Sequence, residues 1–183
     1  MGEMTMMMVD TETTGTDPEE NGLRQLSAIK FNLDTFEIGG TFDRCPSLLP
    51  KRHWSDSTRK FWRDHPEVDR ELVMREEPAE QVFRDFLTFC GDGNYIFVAK
   101  PVKFDWPFVE SHLSQLGLPM PFAHWKVLDL HSYVMGLRGA TSRVDIEDEV
   151  QFKGKPHNAL HDCAYQIDLL FHAKRGHVSA EVV

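Results

Sequence analysis

Apolar positions along this chain fall into short continuous runs in some places and into helical spacing in others. Residues 5–9 are almost wholly apolar and end in Met6-Met7-Met8-Val9, the pattern of a central strand buried on both faces. Residues 26–31 and 36–42 read as two more strands. The turn formers Asn32-Leu33-Asp34-Thr35 lie between them, so a hairpin is expected. A Pro-punctuated connection covers 45–53. Ser55-Asp56-Ser57 then offers a cap for a helix carrying Phe61 and Trp62. Pro66 interrupts it, and Val68, Leu72 and Val73 suggest a second short helix. Glu77-Pro78 opens a clearer one, with Val82, Phe83, Phe86, Leu87 and Cys90 at helical spacing.

Gly91-Asp92-Gly93-Asn94 reads as a turn and 95–99 as a strand. A helix is expected over 105–116, with Pro107 near its start and Gly117 just past its end. Residues 127–130 form a last short strand, followed by a stub of helix to Leu137. Residues 138–156 show no period and read as a flexible loop. Asn158 is placed to cap the final helix, whose apolar face is Leu160, Ala164, Ile167 and Phe171; the tail after Arg175 reads as loose. This order describes an α/β fold. A mixed five-stranded sheet begins with an antiparallel meander, and helices flank it as crossovers. No repeat or linker interrupts the chain, so residues 1–183 are read as one domain with its core at 5–175.

Composition narrows the setting. The three cysteines, Cys45, Cys90 and Cys163, are scattered and odd in number. They argue against a disulfide framework or zinc knuckle and for a reducing cytoplasm. The apolar runs are far too short to span a membrane, and no charged-then-apolar leader opens the chain. Met1-Gly2 fails the myristoylation pattern because position 6 is Met. The formal net charge of −9 argues against coating of long nucleic acid by bulk attraction. A grip on a short end remains open, because clustered acidic ligands count as negative here and bound cations would offset them.

Candidate chemistry begins at Asp10-Thr11-Glu12-Thr13-Thr14-Gly15. Side chains alternate along a strand, so Asp10 and Glu12 point to one side. Adjacent carboxylates at the end of a buried strand repel, and a divalent metal is the usual remedy; a solvated strand-end turn is the alternative. Phe104-Asp105-Trp106 places a carboxylate at a loop-to-helix junction, where capping is an equal reading. His157-Asn158-Ala159-Leu160-His161-Asp162 places another in the first turn of the last helix, where an Asp also complements the helix dipole.

Taken jointly, Asp-x-Glu, Phe-Asp and His-x-Ala-x-x-Asp resemble the signature of the DEDDh branch of the DnaQ-like 3'→5' exonucleases, over about Met6 to Phe171. The resemblance implies a ribonuclease H-like fold. It also implies a metal-dependent 3'→5' exonuclease that takes single-stranded RNA or DNA 3' ends and releases nucleoside 5'-monophosphates. Asp10, Glu12, Asp105 and Asp162 would be the metal-binding carboxylates and His157 the catalytic histidine. Lys100-Pro101 stands where many members carry His-Asn. With Phe61-Trp62, it likens the chain to the subgroup holding phage exonuclease A and the mycobacterial-type exoribonucleases. Family members often pair as homodimers, which extends here by analogy.

The chemistry so implied needs two divalent cations, Mg²⁺ or Mn²⁺, which suit carboxylate oxygens better than zinc does. Asp10, on the most rigid strand, is the natural bridging ligand. His157 and Asp162 lie five residues apart, about 140° around an ideal helix. His157 is therefore expected in the loop behind Pro156, able to swing in as general base. His161 is a rival base that spacing alone does not eliminate. For substrate contact, backbone groups of Thr11, Thr13, Thr14 and Gly15 are candidates. Phe104, Trp106 and Trp62 are candidates for stacking on bases, with core packing the alternative for each. Arg138, Arg143, Lys153 and Lys155 are candidates to meet phosphates, although four acidic residues share their loop. Two rival functions are a catalytically silent binding domain of this fold and a small-nucleotide phosphohydrolase.

Overall fold

The computed structural model describes residues 3–92 and 94–178. Its centre is β1, Met6–Thr13. On one side it pairs antiparallel with β2, Leu23–Asn32, which pairs antiparallel with β3, Glu37–Pro46. On the other side it pairs parallel with β5, Ile96–Ala99, which pairs parallel with β6, Val127–Asp129. With β4, Glu76–Glu77, at one edge, the full order is β4-β3-β2-β1-β5-β6. Among the described residues the sheet has six strands rather than five. The unexpected one, β4, is only Glu76–Glu77, running parallel to the end of β3. It has no apolar residue to announce it.

The expected meander is present, but its strands run further. β1 continues four residues past Val9, with Asp10 opposite Ser27, Thr11 opposite Leu26 and Glu12 opposite Gln25. Ladder hydrogen bonding holds these polar residues in the strand, where no hydrophobic pattern marks them. Phe36 belongs to the β2–β3 turn, at φ 57°.

Among the described residues six helices complete the layers: α1 Asp56–Asp64, α2 Pro66–Met74, α3 Ala79–Cys90, α4 Val102–Gln115, α5 Leu130–Leu137 and α6 Ala159–Val178. Ser55 caps α1, its side chain accepting from the Thr58 amide, and Asn158 caps α6 by accepting from the His161 amide. α4 begins three residues before the expected Asp105. α6 continues past Arg175 to Val178, and the rest of that tail lies outside the described residues, as does Gly93 of the Gly91–Asn94 turn. Loop 138–156 contains a 3-10 turn at Glu147–Glu149. It is fastened by the fully buried Ile146 and by Tyr165, whose hydroxyl donates to the Glu147 carbonyl at 2.9 Å.

Alternation along β1 divides the core. Met7 and Val9 join Phe83, Phe86, Phe97 and Phe108 on the α3 and α4 face. Met8 joins Ile29, Val98, Ile167 and Leu170 on the α6 face. By the same parity, Thr11 faces α4, while Asp10 and Glu12 face α6. No helix among the described residues is long and apolar enough to cross a membrane.

Candidate active site

Three separated segments meet at the C-terminal end of β1. A cleft of about 360 Å³ is lined by Asp10, Glu12, Asp105, His157 and Asp162, with Thr11 and Phe104 on its wall. Asp10, Glu12 and Asp162 each bring a carboxylate oxygen within 4.8 Å of the others. Asp105, 2 % exposed, approaches from α4 and accepts from the Thr11 hydroxyl at 2.8 Å. It is therefore not the cap of its helix: Pro101 precedes the first turn and caps with no side chain.

Burial and mutual repulsion make these acids reluctant to ionise. Burial raises the Asp10 carboxyl well above the usual range, and the charges of Asp105, Glu12 and Asp162 add to it. Glu12 is pushed up to about 8 by burial and then by Asp162 and Asp105, against a small opposing pull from Arg24. Burial lifts Asp105 to about 7 despite the Thr11 hydrogen bonds. It lifts Asp162 to about 6, partly offset by His161 and by the backbone amides of His157 and Asn158. None of the four is in a salt bridge among the described residues. An all-oxygen set with compressed like charges fits a hard divalent cation.

His157 lies in the turn before α6, in the left-handed region at φ 62°. Its ring packs edge-on against Phe61 at 4.8 Å and His65 at 4.7 Å between centroids. Burial, then the neighbouring His65, lowers its pKa, so the neutral ring is favoured. His161 is engaged differently. Its Nδ1 accepts from the Lys155 amide at 3.0 Å, and its ring packs on Gly154, so it braces the loop that carries His157.

Other candidates are brought elsewhere. The Thr13 hydroxyl donates to the Gly15 carbonyl at 2.6 Å and that of Thr14 to the His53 carbonyl at 2.8 Å. The Thr14 amide is taken by Gly22. Gly15 is needed for a different close approach, since a Cβ there would stand 2.0 Å from the Asn21 side chain. Trp62 is 2 % exposed; it donates to the Thr13 carbonyl and lies under the Arg24 guanidinium. Trp106 packs on Phe97 and Phe122 and does not line the cleft. Both indoles pack into the hydrophobic framework of the fold. Arg138 is paired with Glu149, Arg143 with Glu147 and Lys155 with Glu71, while Lys153 is exposed.

Five cleft residues lay outside the expected set: Lys100, Phe152, Pro156, Tyr165 and Gln166. Gln166 donates to Asp10 at 2.8 Å. It follows Asp162 by four residues, so the i,i+4 rule on α6 is the signal that identifies it.

The architecture and its cleft define a nuclease of the DEDDh exonuclease class. Residues 5–172 match the family described as "3'-5' exoribonuclease Rv2179c-like domain", and the chain belongs to that family of 3'→5' exonucleases. It is 30% identical over 120 residues to the PolC-type DNA polymerase III of Streptococcus suis (strain 98HAH33), covering 66% of this chain and 8% of that protein. It is 25% identical over 163 residues to that of Thermotoga maritima, covering 88% and 11%. The chain thus spans about a tenth of the length of these relatives.

Among solved structures, the nuclease domain of 3'hExo, a DEDDh family member bound to rAMP, aligns at TM-score 0.64 and 16% identity, covering 93% of this chain and 92% of that one. E. coli exonuclease I in complex with a dT13 oligonucleotide aligns at 0.71 and 14%, covering 94% and 41%. These likenesses establish the ribonuclease H-like exonuclease fold.

Proposed function

We propose that this chain hydrolyses single-stranded nucleic acid from the 3' end, releasing nucleoside 5'-monophosphates. The observation that carries this reading is the convergence, beside a histidine, of four carboxylates with no salt-bridge partner among the described residues. The family's exoribonuclease description supports RNA over DNA as the proposed substrate. Asp10, Glu12, Asp105 and Asp162 would hold two divalent cations, Mg²⁺ or Mn²⁺. Bound there, the ions would supply charge for the phosphorane-like transition state and acidify the attacking water.

The chain's own residues do the rest. Gln166 and Thr11 orient Asp10 and Asp105. Phe104 offers an apolar wall to the terminal nucleotide, beside the polar edge of Thr11. His157, kept neutral by its surroundings, accepts the proton of the attacking water. To reach it the ring leaves Phe61 and His65, a rotation about a turn that already sits before the helix. We place this activity in a single domain in the cytoplasm, consistent with three free, buried cysteines, and expect a homodimer by analogy with the family.

The test is digestion of matched 5'-labelled RNA and DNA oligomers with Mg²⁺, Mn²⁺ or EDTA. A ladder shortening from the 3' end, abolished by EDTA and by Asp10→Ala, is expected. Hydrolysis that survives either treatment overturns the proposal.

A further inference from the structure

The cleft is crowded with acids, yet its substrate would be an anion. Among the residues lining it, Lys100 alone carries a fixed positive charge. Two dications would neutralise the four carboxylates and leave nothing over for the phosphodiester, whose charge increases as water adds. Lys100 stands just past the end of β5, with its side chain 18 % exposed. It acts on Asp162 across the cleft, helping to hold down that carboxyl.

In the free protein the Lys100 ammonium is already taken. Its Nζ lies 2.5 Å from Glu147 Oε1, on the 3-10 turn of loop 138–156. Arg143 approaches the same oxygen at 3.3 Å. Against the opposing effect of burial, a hydrogen bond with Asp145, then the hydrogen bond and charge of Lys100 and a backbone amide, hold the Glu147 carboxyl down to about 2. A carboxylate between a lysine and an arginine beside a cleft has the charge and acceptor geometry of a phosphate oxygen. The loop carrying it is the same segment that leads to His157.

Resting on the nuclease reading above, we propose that Lys100 binds a phosphate of the substrate strand next to the acidic cluster, and that Glu147 occupies that place until substrate arrives. Substrate then exchanges one anion for another at Lys100. The ammonium stays paired throughout, which keeps the exchange inexpensive for a partly buried cation. Releasing Glu147 also frees the 3-10 turn, so binding is linked to the loop that delivers the histidine.

The two sides of the ion pair make opposite predictions. Were the pair only a structural pin, removing either partner would damage the cleft alike. As a competitor, Glu147 opposes substrate and Lys100 attracts it. Steady-state hydrolysis of a 5'-fluorescein single-stranded oligonucleotide with Mn²⁺ tests this, well below each variant's melting temperature. Lys100→Met is expected to raise KM by about tenfold or more, as for loss of a hydrogen bond to a charged group. Its kcat should change far less, and Lys100→Arg should recover most of the loss. Glu147→Gln should lower KM, and the double variant should resemble Lys100→Met.

Lys100→Met should also flatten the salt dependence of KM, by roughly 0.7 in the log–log slope for one phosphate contact on a single strand. A nucleoside 5'-monophosphate should inhibit the wild type and the Lys100→Met variant alike if Lys100 serves the strand rather than the released product. Selective loss of that inhibition would move the contact to the product and overturn the assignment. An active wild type whose Lys100→Met and Glu147→Gln variants shift KM in the same direction, or not at all, overturns this inference alone. An inactive wild type removes the nuclease reading and this inference with it.

Discussion

Charge compression in the cleft should be visible as instability that metal relieves. Three carboxyls with pKa values of about 8, 7 and 6, at Glu12, Asp105 and Asp162, sit beside an Asp10 raised further still. In each case the folded protein binds the proton more tightly than the unfolded chain. Such groups favour folding fully below the unfolded values near 4 and lose that contribution as pH rises through the folded ones. The metal-free protein should therefore lose stability between about pH 4 and pH 8. For Glu12 alone, the rise from 4.5 to about 8 corresponds to on the order of 5 kcal/mol across that window.

At pH 7 these three groups retain roughly one and a half protons in total, which a divalent ion must expel. Melting temperatures followed from pH 5 to pH 8 in EDTA should fall, and Mn²⁺ should remove most of the fall. Calorimetric titration of Mn²⁺ at pH 7, repeated in buffers of different ionisation enthalpy, should report the released protons. Glu12→Gln should raise the melting temperature at pH 8 in EDTA, have little effect at pH 5, and weaken the response to Mn²⁺. A flat profile in EDTA, or Glu12→Gln destabilising at pH 8, would refute the reasoning.

His157→Ala should reduce kcat by two or more orders of magnitude, in the range of a lost general base, while leaving the Mn²⁺-induced rise in melting temperature intact. His161→Ala, which removes only a brace for the Lys155 amide, should cost no more than a few-fold; the reverse ranking would reassign the base. Gln166→Leu should weaken Mn²⁺ binding by about tenfold or more, as for loss of a group that orients a metal ligand, and an unchanged titration would show that Asp10 needs no such support. Trp62→Ala should destabilise by about 3–5 kcal/mol, as for a large buried side chain, in chemical denaturation; a stable variant with raised KM would return Trp62 to the substrate surface.

Much of this was legible because the catalytic spacing and the hydrophobic spacing coincide. The meander, the caps at Ser55 and Asn158, and the loop position of His157 follow from local turn and cap chemistry. Long-range pairing was not legible. β1 reaches Thr13 only because β2 lies beside it, so its polar end shows no strand pattern. Trp62 was open as a stacking residue until the fold brought Arg24 over its ring, at 4.4 Å. Lys100 was visible as a departure from a family pattern, but its partner Glu147 lies 47 positions away in a loop with no period. Gln166 was hidden for a different reason. Attention to the apolar face of α6 passes over the polar residue one turn beyond Asp162.

The site depends on α6 being held in register with β1, and the apolar core alone does not set that register. Gln25 on β2 accepts from the Ala159 amide at the start of α6, at 3.0 Å, and donates to Asp43 at 2.7 Å. Ser27 donates to the same Asp43 oxygen at 2.7 Å, and Arg75 grips the other at 2.6 Å. Gln25 and Ser27 lie opposite Glu12 and Asp10, so this chain shares the sheet face of the acids. Each member is satisfied, which makes a buried polar network rigid rather than costly. An apolar substitute could fill the volume but would not place Asp162 along the helix axis relative to Asp10. The protein thus spends polar burial on geometry at the point where like charges must be kept together, and the stability so forgone is what a bound cation returns.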